Sequence, residues 1–156
     1  MKNKVTVVSK AGFHELIDEK GAEPGVSYIS IEGTPECIEH WIKDDDNDHL
    51  LPSGPHVLNL NFDDVTEDEY EYEGHIFRTI SFDEAREILD FVERQKGRDL
   101  VIHCKAGRSR SQAVARFIVD CFPDDWVGNR LLETYNPEVL GRLKRVYYDR
   151  LYNGNT

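Results

Sequence analysis

Long apolar runs are missing from this sequence, and their absence limits where the protein can act. No uninterrupted hydrophobic stretch approaches the roughly 20 residues that a helix needs to cross a bilayer. The segment from Met1 to Val8 leads directly into a strand-like pattern and contains no apolar stretch of the kind found in signal peptides. We therefore expect a soluble cytoplasmic protein without a membrane span.

Cysteines are few, and basic residues are outnumbered by acidic ones. The three cysteines, Cys37, Cys104 and Cys121, are an odd number without scaffold-like spacing, which suits a reducing compartment and leaves a thiol free for chemistry. The chain has 19 Lys and Arg against 30 Asp and Glu, for a net charge of -11. Because nucleic acids select basic surfaces, this balance argues against a nucleic-acid partner. Any anion-binding site must therefore be a local positive feature of an acidic protein.

The pattern of apolar residues indicates one domain of alternating strands and helices. A length of 156 residues, 39% of them hydrophobic, predicts a single domain over 1–156. Segments with β-branched or alternating apolar residues predict strands, and apolar residues at helical spacing predict helices. The predicted strands are 4–8, 26–31, 56–62 and 99–103. The predicted helices are 13–17, 81–97, 113–121, 126–132 and 136–151, and the acidic segment 67–73 is predicted to be a loop. This order predicts an α/β fold with a central, largely parallel sheet of about four to five strands flanked by helices.

The most informative segment joins the last predicted strand to the helix that follows it. It reads His103-Cys104-Lys105-Ala106-Gly107-Arg108-Ser109-Arg110-Ser111, with five residues between Cys104 and Arg110. That spacing alone is not specific, whereas the full run between a strand and a helix is. We therefore treat this loop as the candidate catalytic site.

The chemistry of the loop is centred on Cys104. A free thiol has a pKa near 8.5, and a helix N-terminus with nearby cations lowers it to about 3.5–7.5, which gives a standing thiolate nucleophile. Cys104 enters a predicted helix, and Lys105, Arg108 and Arg110 are close to it in sequence. The hydroxyl of Ser111 is placed to donate to the thiolate, and His103 is expected to fix the loop by hydrogen bonding.

The rest of the loop has the features of an anion cradle. Successive backbone N–H groups can curl around a phosphate at a helix N-terminus. Gly107 supplies a position that tolerates positive φ, and Arg110 offers a planar fork for two phosphoryl oxygens. The predicted phosphate-binding residues are Lys105, Ala106, Gly107, Arg108, Ser109 and Arg110.

The run His-Cys-x5-Arg-Ser resembles the signature of the protein tyrosine phosphatase superfamily, especially its small dual-specificity-type, bacterial and phage members. The strand ending near Asp64, the next helix and the Asn136-Pro137 segment are similar to the family's order. The resemblance implies a dual-specificity phosphatase-like fold and hydrolysis of phosphate monoesters through a phosphocysteine intermediate. The implied partner is a phosphorylated protein, with phosphotyrosine first and phosphoserine or phosphothreonine next, or another phosphomonoester. It implies no cofactor and no metal, since the thiolate and Arg110 take that role.

The resemblance also implies an aspartic acid that protonates the leaving oxygen and later activates water. Asp64 fits this role best because it follows the third predicted strand, whereas a solvated turn carboxylate is the alternative interpretation. Asp63 and Asp68 stay open as other candidates for the acid. The sequence alone leaves the choice among these three undecided.

Other interpretations of the motif also stay open. Lys105 and Arg108 give the loop two extra cations, so the substrate could be a phosphoinositide or another polyanion. A non-catalytic phosphoprotein-binding module, a rhodanese-like sulfur transferase and a purely structural Cys104 are further alternatives. Cys121 falls on an apolar helical stripe and is read as core, although a protective disulfide with Cys104 is conceivable.

Further polar groups give no site by their spacing. The segment 44–49 resembles a calcium loop but lacks the Gly at its sixth position and the Glu at its twelfth. The other histidines, His14, His40, His49, His56 and His75, show no metal-ligand spacing. Cys37 is read as incidental.

Overall fold

The computed structural model describes residues 1–34 and 48–154, and these form strands that alternate with helices. The strands are β1 (Asn3–Val8), β2 (Val26–Glu32), β3 (Val57–Asn61), β4 (Tyr70–Tyr72), β5 (His75–Phe77), β6 (Asp99–His103) and β7 (Trp126–Asn129). The helices of these ranges are α1 (Lys10–Lys20), α2 (Phe82–Arg94), α3 (Arg110–Cys121) and α4 (Pro137–Asn153). No helix within these ranges is long and apolar enough to cross a bilayer.

Five of the strands form one parallel sheet in the order β3-β2-β6-β1-β7. The predicted α/β class and the largely parallel sheet of four to five strands are therefore confirmed. Strand β6 lies in the centre, where His103 is in register with Val8 of β1 and with Ser30 of β2. Because the carboxyl ends of parallel strands meet at one edge of the sheet, the segment after β6 opens at a typical position for a ligand site.

The two faces of the sheet carry different residues because side chains alternate along each strand. On one face Ile29, Leu100 and Ile102 are fully buried in the main core, which α2, α3 and α4 complete. On the other face Tyr28 and His103 pack against Phe13 of α1. The central strand is therefore covered on both sides.

Local capping explains where the flanking helices begin. Ser81 Oγ accepts from Glu84 N at 3.0 Å, and the Glu84 carboxylate accepts from Ser81 N at 2.9 Å. Asn136 Oδ1 accepts from the backbone of Glu138 and Val139 at the start of α4. Both caps were expected from the sequence, and each is worth about 1 kcal/mol of stability.

The predicted helix at 126–132 is wrong, because β7 occupies its first half. Trp126 is in register with Asn3 and Asn129 with Thr6, so this segment completes the open edge of β1. The Trp126 ring is buried, and its Nε1 donates to Arg98 O at 2.8 Å. Backbone pairing with β1 and this anchor outweigh the local helical spacing.

The acidic segment predicted as a loop is wrong over part of its length, since β4 and β5 form an antiparallel hairpin there. Glu73 and Gly74 connect the strands with φ of 49° and 83°, the pattern of a tight type I′ turn. The rings of Tyr70 and Phe77 pair across the hairpin with centroids 6.3 Å apart.

The prediction that Leu151 lies on the buried stripe of the last helix is also wrong, because its side chain is 57% exposed.

Candidate active site

The loop between β6 and α3 lies against the end of β1. Lys10 N donates to Lys105 O at 3.0 Å, which joins the start of α1 to the loop. Gly107 has a φ of 71°, and a Cβ atom there would lie 2.9 Å from the carbonyl carbon of Val8 and 3.0 Å from Ser9 N. Glycine is therefore required at this position both by the backbone conformation and by the space.

Cys104 lies at the base of the loop, with only 2% of its surface exposed. Its Sγ is 3.0 Å from the hydroxyl of Ser111. Burial raises the pKa of the Cys104 thiol, but the Ser111 hydroxyl, the Arg110 charge and the backbone N–H groups of Ser111 and Gly107 lower it by more. The net pKa is below the ordinary value for cysteine, so the site favours a thiolate.

Arg110 is the first residue of α3 and is 8% exposed. One end of its guanidinium is fixed, because Nη1 donates to Phe62 O at 2.8 Å. Its Nε is buried and has no hydrogen-bond partner within the described part of the chain. A buried donor without an acceptor costs about 1–3 kcal/mol, and an oxyanion is an acceptor that would remove this cost.

His103 supports the loop from below. Its Nδ1 is 3.2 Å from Cys104 O, its Nε2 is 2.7 Å from Ser30 Oγ, and its ring stacks on Phe13 with centroids 4.3 Å apart. Burial lowers the pKa of His103 to about 4, so the ring is neutral at pH 7. His103 is thus placed to hold the Cys104 carbonyl rather than to act as a cation.

The structure separates the three candidate acids. Asp64 is exposed, and its Oδ1 accepts from Ser109 Oγ at 2.7 Å and from Asn136 Nδ2 at 2.8 Å, which ties it to the loop. Asp63 is buried, and its carboxylate accepts hydrogen bonds from Thr34 N, Thr34 Oγ1 and Arg78 N. These contacts give Asp63 a structural role.

Asp68 is 81% exposed and forms an ion pair with Arg142 of α4. Its carboxylate is therefore held by a helix side chain, while Asp64 is held by a residue of the loop itself. Of the three candidates, Asp64 is the carboxylate that hydrogen-bonds to a residue of the loop.

Two further residues contact the loop that the sequence did not single out as part of the site. Gln112 is 4% exposed, and it donates to Gly107 O at 2.9 Å while accepting from Leu132 N at 3.0 Å. Asn136, expected only as a helix cap, also donates from its backbone to Ser109 O at 3.2 Å. The sequence offered one indication of Gln112, which is a polar residue among the apolar residues that this helix buries.

The rim of the loop is positively charged. Lys105, Ala106 and Arg108 are exposed there, whereas Gly107 is buried beneath them. The segment before α4 borders the same rim, because Thr134 Oγ1 donates to Arg108 O at 3.4 Å. The cations thus form the local positive feature that an anion site in an acidic protein requires.

Cys121 lies at the opposite end of α3 from the loop. Ten residues of helix separate it from Ser111, a rise of about 15 Å, which is too far for a disulfide with Cys104 in this fold. Burial raises the pKa of Cys121 to about 11, so it is an unreactive thiol. The interpretation of Cys121 as a packing residue fits this position against the core.

Other interpretations from the sequence fall on residues that the structure does not describe. Cys37, His40 and most of the calcium-like segment, 44–47, lie outside the described residues. Within 1–34 and 48–154, no three His, Cys, Asp or Glu side chains come together in a group that could hold a metal ion.

No protein-family model matches the chain, and no curated protein or solved structure shows significant similarity to it. The function is therefore inferred from the residues of the site.

Proposed function

We propose that this protein is a cytoplasmic cysteine-dependent phosphatase with a dual-specificity phosphatase-like fold. It would hydrolyse phosphate monoesters, with phosphotyrosine in a protein as the first candidate and phosphoserine or phosphothreonine next. The observation that carries the proposal is the placement of Cys104 Sγ, 3.0 Å from Ser111 Oγ at the start of a helix whose first residue is Arg110. A helix N-terminus and a buried guanidinium suit a phosphate dianion better than an uncharged substrate.

The first step is attack by the Cys104 thiolate on phosphorus. An S–P bond forms while the bond from phosphorus to the ester oxygen breaks, and Asp64 gives its proton to that oxygen. Arg110 and the loop N–H groups bind the equatorial phosphoryl oxygens during the transfer. The products of this step are the free alcohol or phenol, a phosphocysteine and the Asp64 carboxylate.

The second step is hydrolysis of the phosphocysteine. The Asp64 carboxylate takes a proton from water as the water oxygen attacks phosphorus, and the S–P bond breaks. The electron pair returns to Cys104 Sγ, where the Ser111 hydroxyl donates to the departing thiolate. Inorganic phosphate leaves, and the thiolate and the protonated Asp64 are restored.

The experiment that tests the proposal measures hydrolysis of a small aryl phosphate by the reduced protein with a chelator present. We expect turnover in the wild type, none in Cys104→Ser, and wild-type rates in Cys121→Ser, since that thiol lies at the far end of α3. A folded wild type without turnover, or a Cys104→Ser variant that keeps it, would contradict the proposal.

A second candidate substrate is a phosphoinositide or another polyanion. The observation that favours it is the exposure of Lys105 and Arg108 together on the rim of the loop, where they can contact additional phosphate groups. Relative rates on a phosphotyrosine peptide and on an inositol polyphosphate decide between the two. Arg108→Ala should lower kcat/KM for the polyanion far more than for the peptide if the polyanion is the substrate.

A further inference from the structure

A chain of four hydrogen bonds runs beneath the loop and ends at the nucleophile's own carbonyl. Asn61 Oδ1 is 2.9 Å from His49 Nε2, and His49 Nδ1 is 2.7 Å from Ser30 Oγ. Ser30 Oγ is 2.7 Å from His103 Nε2, and His103 Nδ1 is 3.2 Å from Cys104 O. The chain therefore links the carboxyl ends of β3, β2 and β6 to the candidate site.

Both ends of this chain are acceptors. Cys104 contributes a backbone carbonyl oxygen. Asn61 contributes its amide oxygen, since its Nδ2 is already directed at Gly33 O, to which it donates at 2.9 Å. Neither end can supply a proton to the chain.

Counting protons shows that the neutral chain is one proton short. Each of the four links needs one proton between its two heavy atoms. Ser30 supplies one, and a neutral imidazole supplies one each from His49 and His103, which makes three. One link of a neutral chain must therefore place two acceptors against each other, whereas a single added proton completes all four.

The added proton belongs on His49 rather than on His103. His103 is 1% exposed, and burial holds its pKa at about 4, while His49 is only half-buried. With His49 cationic, both its ring nitrogens donate, Ser30 donates to His103 Nε2, and His103 Nδ1 donates to Cys104 O.

Several charged or titratable groups lie near the chain in space or in sequence. They are Glu32 on β2, Lys10 and His14 on α1, and Asp48 beside His49. The Glu32 carboxylate is 3.9 Å from His103 Nε2 and favours a cation, but Lys10 binds the same carboxylate at 2.9 Å. Burial and the charges of Lys10 and His14 lower the pKa of His103, which disfavours the added proton on that ring.

We propose that His49 is a positioning residue for the phosphatase site, and that its protonation completes the chain that holds the Cys104 carbonyl through Ser30 and His103. The effect on catalysis rests on the proposed function, while the chain itself does not. The fourth bond is present when the His49 ring is protonated and is absent when that ring is neutral. Histidine side chains in general change charge between about pH 5 and 8, so measurements over that range test the dependence.

The direct test follows the ring nitrogens of the histidines by NMR as the pH is raised. At low pH we expect both nitrogens of His49 and Nδ1 of His103 to carry protons, with Nε2 of His103 bare. The His103 signals should then shift with the same midpoint as His49. In Ser30→Ala this coupling should disappear, whereas His14→Gln, which changes a nearby charge but no link, should keep it.

Two results of that test would overturn the inference. One is a His103 ring whose Nδ1 lacks a proton at low pH. The other is a coupling between the His49 and His103 signals that survives unchanged in Ser30→Ala, because through-space charge would then explain it. His49→Gln provides a second variant, since glutamine can donate and accept at this position but does not titrate.

The kinetic readout separates this inference from the proposed function. One hydrogen bond is worth about a 2- to 10-fold step in kcat/KM on an aryl phosphate between pH 5 and 8, and His49→Gln should remove that step. Profiles of the wild type and His49→Gln that superimpose would contradict the catalytic role of His49. A wild type without turnover would contradict the phosphatase proposal instead, and the NMR signals would still decide on the chain.

Discussion

At Gly107 the cost of one added methyl group to the free energy of unfolding can be worked out from the structure. Its φ of 71° lies in the left-handed region, and an alanine Cβ would meet the Val8 carbonyl carbon at 2.9 Å and Ser9 N at 3.0 Å. Both contacts are with backbone at the end of the strand β1, which cannot rotate away as a side chain can. The change Gly107→Ala therefore combines backbone strain with a steric clash.

The magnitude follows from these two effects. A left-handed conformation costs a non-glycine residue about 1–2 kcal/mol. Overpacking a tightly fitted position by one methyl group costs about 1–3 kcal/mol. We expect Gly107→Ala to lower the free energy of unfolding by about 2–5 kcal/mol, a large part of the 5–15 kcal/mol typical of a whole domain.

The assay is urea unfolding followed by fluorescence, with Gly97→Ala as the matched control. Gly97 has a φ of 91°, and a Cβ there would have no neighbour within 4 Å among the described residues, so its replacement measures the backbone strain alone. The difference between the variants, about 1–3 kcal/mol, is the steric part. Equal losses in the two variants would refute the argument that the end of β1 closes on the loop.

Three further predictions concern the chemistry of the site. Arg110→Lys should reduce kcat about 100-fold or more, because a point charge does not reproduce the planar fork of a guanidinium. Circular dichroism checks that the variant remains folded, and near-normal kinetics would remove Arg110 from the mechanism. Asp64→Asn should slow esters with poor leaving groups about 100-fold or more, but activated aryl esters much less, and equal slowing would exclude Asp64 as the acid. Asp63→Asn should instead lower the free energy of unfolding. Ser111→Ala removes a group that lowers the pKa of Cys104, so the pH profile of iodoacetamide alkylation should move to higher pH. A profile that stays in place would show that the Ser111 hydroxyl does not stabilise the thiolate.

The sequence predicted those parts of the fold that depend on local patterns. The cap formed by Ser81 and Glu84 and the strand before Cys104 involve neighbouring residues, so spacing alone located them. Segments whose conformation depends on a distant partner were missed. Trp126 adopts a strand because the edge of β1 is available, and β1 is more than a hundred residues away in sequence.

The candidate site shows the same division. Cys104, Arg110 and Ser111 lie within one short segment, so the sequence was sufficient to group them. Asp63 and Asp64 are adjacent in sequence, yet one is buried against Arg78 N and the other contacts Ser109. Only the direction of each side chain distinguishes them, and that direction is set by the packing of β3 and the loop.

The strand order also has a consequence for how the loop forms during folding. The first strand of the sequence lies between β6 and β7, so both of its hydrogen-bonded neighbours follow it by about 90 residues or more. Such parallel pairs bring together distant parts of the chain, and proteins dominated by them fold more slowly than helical bundles. During synthesis β1 has no partner strand until residues 99–103 have left the ribosome, and its other edge stays open until residues 126–129 follow. We therefore expect the nucleophile's loop to be among the last elements to become ordered, and nascent chains that stop before β7 to lack one edge strand of the sheet.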